Sequence, residues 1–215
     1  MLLKYPETNH LPFSQQKHKD DREHKDPFWF VGKEVIITEK LDGGTCLLFN
    51  GKVFARSITE ETRCRSFDYI KSSHLYKTLG RSNLYIYGEN LYAKHSIGYE
   101  KLTDFFFVFS ILDNENLFIE WDNVINWCRR LCFKSVPVLF RGEFNQVNKI
   151  KDWMEEEIKK PSVFGEKREG FVIRVTEPFP YNRHSLNTAK FVRANHIQTN
   201  EHWSRRWKPN ELLKE

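Results

Sequence analysis

The chain is short of cysteine. Only Cys46, Cys64, Cys128 and Cys132 occur in 215 residues, and their scatter excludes a small scaffold stapled by disulfides. Cys128 and Cys132 lie four apart, on one face of an expected helix. No further Cys or His pair accompanies them, so they read as reduced, packed thiols and not as half a zinc site. A reducing, cytoplasmic-type compartment is the expectation. No apolar run reaches the roughly 18 residues that a membrane span needs. The opening Met1-Leu2-Leu3-Lys4-Tyr5-Pro6 is broken by proline too soon for a signal peptide. Internal repeats and linker-like tracts are missing as well. A large charge excess is also lacking: 34 Lys and Arg face 29 Asp and Glu, a net +5. That is compatible with a polyanionic partner without demanding one.

Aromatic bulk is plentiful: 18 Phe, 8 Tyr and 6 Trp can fill a sizeable core. The length suits one domain over 1–215, with a polar, mobile loop near 14–27, where Gln15 to Asp26 is almost wholly hydrophilic. Strand patterns cover Val35 to Lys40, Thr45 to Phe49 and Lys52 to Arg56. Asn50-Gly51 marks a two-residue hairpin turn between the last two. Leu84 to Tyr87 is a further strand, and Phe105 to Leu112 reads as one buried on both faces. Asp113 to Asn116 is a turn with a return strand at Leu117 to Ile119. Val138 to Phe140, Phe171 to Val175 and Lys190 to Val192 complete the strands. Helices are expected over Phe67 to Leu79, Trp121 to Cys132 and Trp153 to Lys160, the last stopped by Pro161. The class is α+β, antiparallel strands covered by a few helices.

The chemistry starts at Thr38-Glu39-Lys40-Leu41-Asp42-Gly43-Gly44. A lysine at a strand end, followed by an acid and glycines, can act as a nucleophile on phosphorus, with the glycines letting backbone approach phosphates. The same pattern also makes an ordinary turn. The Asn50-Gly51 hairpin makes Arg56 a neighbour of that lysine, where it grips a phosphate or remains a solvated strand-end charge. Gly88-Glu89 sets a carboxylate at a strand end, suited to a metal or a ribose hydroxyl, or to a plain turn. One ring of Phe105-Phe106-Phe107-Val108-Phe109 can give a base a flat platform; the others are core. Glu169-Gly170 puts an acid at the start of a strand, and Lys190 puts a cation on the next. In the tail, Trp203, Arg205 and Arg206 mix indoles with cations, which suits a nucleic-acid strand or a docked terminus. Arg63 and Arg65 make a second basic pair, and His95 and His196 read as substrate contacts or, preferentially, as satisfied polar residues.

In this order, Lys40-x-Asp42-Gly43, Arg56, Gly88-Glu89, Phe109, Glu169-Gly170 and Lys190 resemble the six ordered motifs of the covalent nucleotidyltransferases. These are the ATP-dependent RNA and DNA ligases and the capping enzymes. Three segments resemble the RNA ligase branch: Lys4-Tyr5-Pro6 with His10-Leu11-Pro12, Gly88 to Ile97, and Lys190 to Ala194. The resemblance spans roughly residues 4 to 203. It implies an antiparallel-sheet, ATP-grasp-like adenylation core with covering helices and no C-terminal OB domain. It implies catalysis by Lys40, as a lysyl-AMP nucleophile, and by Lys190, which would also hold the α-phosphate. Glu39 would lie by the adenine edge. Arg56 would contact AMP or the substrate's 5′-phosphate, Phe109 would stack on adenine, and Glu89 and Glu169 would place the metal. ATP and Mg²⁺ or Mn²⁺ are the implied cofactors. RNA ends bearing a 5′-phosphate and a 3′-hydroxyl are the implied partners, with DNA or hybrid ends as an alternative. A lysine is ordinarily protonated up to a pKa of about 10.4, and Lys190 and a bound metal are the expected neighbours that would lower it.

The pattern has departures. The last motif commonly carries a second lysine where Val192 stands, and an aspartate often occupies the place of Ser110. No second domain follows, so a separate repair protein would supply its role or the core would act alone. A minimal DNA ligase sealing nicks, a capping guanylyltransferase and a non-catalytic nucleic-acid-binding module on a ligase fold are the competing readings.

Overall fold

The computed structural model describes residues 2–72, 83–196 and 208–213. In chain order its strands are β1 (Asn9–His10), β2 (Glu34–Lys40), β3 (Gly44–Phe49), β4 (Lys52–Ala55), β5 (Tyr85–Asn90) and β6 (Phe106–Leu112). They continue with β7 (Leu117–Phe118), β8 (Lys134–Ser135), β9 (Val138–Glu143), β10 (Gly170–Val175), β11 (Phe179–Pro180) and β12 (Thr188–Val192). Two sheets result. One runs β1-β12-β10-β2-β9, the other β11-β7-β6-β5-β3-β4 with β8 beside β6. Pairing is antiparallel except for the two-residue contacts of β1 with β12 and β8 with β6. This is the α+β, antiparallel-sheet architecture that the sequence pattern predicts.

The sheets meet through alternation. On β2, Ile36 joins one apolar cluster with Cys46, Leu48 and Ile86, while Val35 and Ile37 join another with Leu112, Phe171 and Phe191. A strand buried on both faces reads as a continuous apolar run, as Val35-Ile36-Ile37 does. Asn50 and Gly51 both take left-handed backbone, φ 48° and 71°, the conformation that a two-residue hairpin requires.

Helix α1 (Asp68–Ser72) follows a single 3₁₀ turn at Arg65–Phe67. The rest of the helix expected to reach Leu79 lies outside the described residues. Helix α2 (Trp121–Arg130) buries Trp121, Val124 and Cys128 on one face. Helix α3 (Val147–Glu157) starts six residues before the expected Trp153, because its buried face is the pair Ile150 and Met154. Helix α4 (His184–Asn187) is a single turn leading into β12. None of the described helices is long and apolar enough to cross a membrane. All four cysteines are free thiols.

Two straps tie the surface down. The polar segment at 14–27 returns along β12: the Val192 amide donates to Ser14 Oγ, and the Gln15 amide donates to the Val192 carbonyl. His24 Nε2 meets the Leu186 carbonyl at 2.9 Å. At the other end, Asn210 Nδ2 donates to the Leu91 carbonyl and its Oδ1 accepts from the Tyr99 amide, so residues 208–213 clasp the 91–102 loop.

Candidate active site

Lys40 is the last residue of β2, and Gly44 is the first of β3 in the other sheet. The chain therefore changes sheets within Leu41-Asp42-Gly43. Leu41 is buried there and anchors the crossing. Asp42 is held by its backbone and its carboxylate: its amide donates to the Tyr99 hydroxyl at 2.8 Å, and its Oδ2 accepts from the Ile97 amide at 2.7 Å. Gly43 passes so close to β5 that a Cβ would lie 2.6 Å from the Asn90 carbonyl oxygen. Its amide instead donates to Glu89.

Across the sheet, Gly170 pairs with Lys40 in register. A Cβ on Gly170 would sit 1.9 Å from the Phe191 carbonyl oxygen, so only glycine permits this approach of β10 to β12. The preceding Glu169 thereby delivers its carboxylate to the nucleophile candidate, with Lys40 Nζ donating to Glu169 Oε1 at 2.6 Å. Lys190 stands on β12 opposite Val172 and beside His10 of β1.

Burial alone would lower the Lys40 pKa, but the carboxylates of Glu169, Glu89 and Asp42 outweigh it and hold the ammonium above its ordinary range. The expected lowering by Lys190 is thus reversed in the free protein: three acids surround Lys40 against one lysine. The lysine pushed down is Lys190, by burial and then by the charge of Lys40. Burial pushes Glu89 up to about 8, against the attraction of Lys40. His10 falls to about 4 through burial and the neighbouring Lys190 charge, against the pull of Asp21.

A cavity of about 240 Å³ opens between the sheets. The alternate residues Ile36, Thr38 and Lys40 of β2, Val172 and Arg174 of β10, and Thr188 and Lys190 of β12 form one wall. Thr45 and Leu47 of β3, Tyr87 and Glu89 of β5, and Phe109 of β6 form the other, with Arg56 and the N-terminal residues Lys4 to Thr8 at its edge. Six sequence-predicted residues therefore share one cavity: Glu39, Lys40, Arg56, Glu89, Phe109 and Lys190. Glu169 reaches it through Lys40.

The Glu39 side chain takes a different course from that of Lys40. It alternates to the opposite face from Lys40, where its carboxylate accepts from Ser162 Oγ and the Val163 amide and pairs with Arg168 Nε at 3.3 Å. That side chain is fully committed, leaving backbone as what Glu39 offers the cavity. Of the expected metal pair, Glu89 and Glu169, the second lies in a compact cluster of possible ligands. One ligand atom each from Asp42, Glu169 and His196 lie within 4.8 Å of one another, and Glu89 is outside this group. Trp203, Arg205 and Arg206 lie outside the described residues.

Sequence reasoning missed four contributors. Lys40-x-Asp42-Gly43 names Asp42, but the motif assigns it no role of its own. His196 was set aside as structural, yet its Nε2 lies 3.5 Å from Glu169 and 3.7 Å from Asp42. Arg174 and Tyr5 line the far end of the cavity. The sequence assigns neither a role: Arg174 is one charged residue in a strand, and Tyr5 enters only within the Lys4-Tyr5-Pro6 segment that resembles the RNA ligase branch.

The profile of the RNA ligase family matches residues 33–192. No curated protein matches significantly. Among solved structures, the Naegleria gruberi RNA ligase with PPi is similar, with a TM-score of 0.61 at 20% identity over 86% of this chain and 57% of that one. A variant of the same ligase with ATP and Mn gives 0.61 at 18% identity, over 90% of this chain and 60% of that one. An archaeal ATP-dependent RNA ligase gives 0.56 at 13% identity, over 89% and 48%. A putative ATP-dependent DNA ligase from Aquifex aeolicus gives 0.57 at 16% identity, over 89% and 50%. The chain thus spans about half to three-fifths of these proteins' length, and at such identities the likeness is one of fold. The family match covers most of the chain, and it includes Lys40, Glu89, Glu169 and Lys190: this protein belongs to the RNA ligase family.

Proposed function

We propose that residues 1–215 form one adenylyltransferase unit that joins RNA ends with ATP, through a lysyl-AMP intermediate on Lys40 and an adenylylated 5′-phosphate. One arrangement carries the reading: an amine at the mouth of an intersheet cavity, hydrogen-bonded to Glu169, with Lys190 on the same wall and Glu89 on the other.

In the first step, Lys40 Nζ attacks the α-phosphorus of ATP. The Lys40 ammonium first gives one proton to Glu169 Oε1, the oxygen it already contacts; the neutral amine then bonds to phosphorus as the bond to pyrophosphate breaks, and the second proton leaves with the pyrophosphate. Burial raises the Glu169 pKa, which suits an acceptor. Lys190 steadies the charge developing on the α-phosphate. Glu89 serves the ribose, Phe109 offers a ring face to the base, and Arg56 meets the phosphate of ATP or of the RNA 5′ end. AMP then moves to that 5′-phosphate, and a 3′-hydroxyl displaces it.

The residues present fit a divalent cation: Glu169 Oε2 is a buried carboxylate oxygen without a hydrogen-bond partner, beside Asp42 and His196. A cation held there would supply charge neutralisation for the departing pyrophosphate.

The test is covalent labelling. With ATP labelled at the α-phosphate, the wild-type chain retains label through denaturation, and Lys40→Ala retains none. Normal labelling of Lys40→Ala would remove the assignment. Sealing of matched 5′-phosphate and 3′-hydroxyl substrates, in RNA and DNA versions, then tests the acceptor. The reading expects RNA to be preferred, and a preference for DNA nicks would replace it with the DNA ligase alternative.

A further inference from the structure

A set of carboxylates alone would suit Mg²⁺, Ca²⁺ or Mn²⁺ equally well on chemical grounds. This site is not carboxylates alone. After β12 the chain reverses at Asn195, whose φ of 54° is left-handed. The turn is fixed where the His196 amide donates to Gln16 Oε1 at 2.6 Å. The imidazole is thereby folded back toward the carboxylates of Asp42 and Glu169. It is 6% exposed, with Nε2 3.7 Å from Asp42 Oδ1 and 3.5 Å from Glu169 Oε1. Two buried atoms there are left without partners, His196 Nδ1 and Glu169 Oε2. A cation held by Nε2 does not reach Nδ1 across the ring, whereas the bare Glu169 Oε2 is an oxygen that a bound cation would satisfy. Asp42 is already oriented by the Ile97 amide, so its other oxygen, Oδ1, is the one presented to the group.

We propose that Asp42, Glu169 and His196 form a mixed oxygen and nitrogen cation site that takes Mn²⁺ and later first-row divalent ions ahead of Mg²⁺, with His196 as the discriminating ligand. The physical basis is ligand hardness. Imidazole contributes little to Mg²⁺, which keeps its water and prefers oxygen, and it strengthens binding along the Irving–Williams order from Mn²⁺ upward. The proposal deepens the adenylylation reading and rests on it for the site's role beside Lys40. The binding geometry itself does not depend on that role.

The experiment uses the full chain with Mn²⁺ alone. Pulsed electron paramagnetic resonance of the wild-type complex is expected to show nitrogen modulation from a coordinated imidazole. Titration of the free Mn²⁺ signal, with Mg²⁺ as competitor, gives the two affinities. His196→Gln is expected to lose the nitrogen modulation and weaken Mn²⁺ binding by roughly tenfold or more, with Mg²⁺ binding changed by less than about twofold. Absence of nitrogen modulation in the wild type overturns the proposal, whether or not the variant folds. So does equal loss of Mn²⁺ and Mg²⁺ affinity in a variant with an unchanged circular dichroism spectrum. Labelling by α-phosphate-labelled ATP in the same samples separates the two readings. Label on Lys40 without imidazole coordination would remove the metal selectivity alone. Imidazole coordination without label in any metal would remove the adenylyltransferase reading and leave the cation site.

Discussion

The two ends of the cavity bury charge in opposite ways. At the Lys40 end, cations and anions alternate: Lys40 on Glu169, His196 between Glu169 and Asp42, and Glu89 and Lys190 on facing walls. Arg174 pairs with Ile36 while Gly170 pairs with Lys40, so the other end lies four strand residues away, about 13 Å. There Arg174 has no carboxylate partner among the described residues. It donates to the carbonyls of Ile119 and Val175 and, at 3.4 Å, to Ser110 Oγ, and packs against Trp121 and Phe179. Burial lowers its pKa to about 10. Tyr5 and His184 stack edge to face beside it at 4.7 Å. The contrast is physical: paired charges remain available for exchange with a ligand, whereas a lone guanidinium anchored on carbonyls is a fixed dipolar wall.

The largest way to break this contrast is Glu89→Gln. Glu89 is pushed up to about 8, chiefly by burial. Between the unfolded value and 8 the folded state holds a proton that the unfolded chain releases. Stability is therefore fully present below the unfolded pKa and falls as pH rises toward 8, by up to about 4 kcal/mol. Urea unfolding at pH 5 and pH 8 is expected to show that loss in the wild type, and a much flatter response in Glu89→Gln. Equal slopes would mean that Glu89 is ionised in the folded protein throughout.

The difference between the ends also marks what was legible in the sequence. Lys40, Glu89 and Glu169 sit at or next to strand ends with glycines close by in sequence, a local pattern that survives in one dimension, and Lys190 lies within the short strand β12. Gly43 and Gly170 are required by close backbone approach, and that is why their neighbours arrive at one point. Asn50-Gly51 announced its hairpin for the same reason, since few other residues accept both left-handed positions. The Glu39 side chain turns away from Lys40 because adjacency in sequence reverses the face on a strand. His196 was hidden because it reaches the site only through the reversal at Asn195, after the last strand. Arg174, Tyr5 and His184 converge from three distant segments, and their meaning lies in which carboxylate is missing, something no local window contains. Helix α3 begins before the expected Trp153 because Ile150 and Met154, not the half-buried Trp153, face the core.

At the aromatic end the expected pH signature has the other sign. His184 is 1% exposed, neither ring nitrogen has a partner among the described residues, and burial and then Arg174 lower its pKa to about 3. A histidine depressed in the folded state is protonated first in the unfolded chain. Its contribution is present above the unfolded value of about 6.5 and is lost as pH falls toward 3. Lowering pH from 7 to 5 is expected to cost about 2 kcal/mol through His184 and a similar amount through His10, which is lowered to about 4. His184→Phe places a ring among Tyr5, Phe118 and Phe179 and is expected to remove about half of that acid loss. An unchanged acid limb in urea titrations would show that His184 is not held neutral.

The smallest expected effect sharpens the comparison most, because it makes one end resemble the other. Ser110 stands where the related motif often has an aspartate, and its Oγ lies 3.4 Å from Arg174 Nη1. Ser110→Asp gives the guanidinium a carboxylate. The attraction in this buried place is large, yet desolvating a second charge offsets most of it, so the net change at pH 7 is expected to stay within about 1 kcal/mol. The new carboxyl would be held below its ordinary range by Arg174, so the variant would gain an acid-side loss of stability absent from the wild type. Ser110→Leu is the control: it removes the hydroxyl without adding charge, crowds a side chain that is 1% exposed, and is expected to cost about 2 kcal/mol. If Ser110→Asp destabilises as much as Ser110→Leu, the lone arginine is not short of a partner. The carbonyls of Ile119 and Val175 would then be all that it needs.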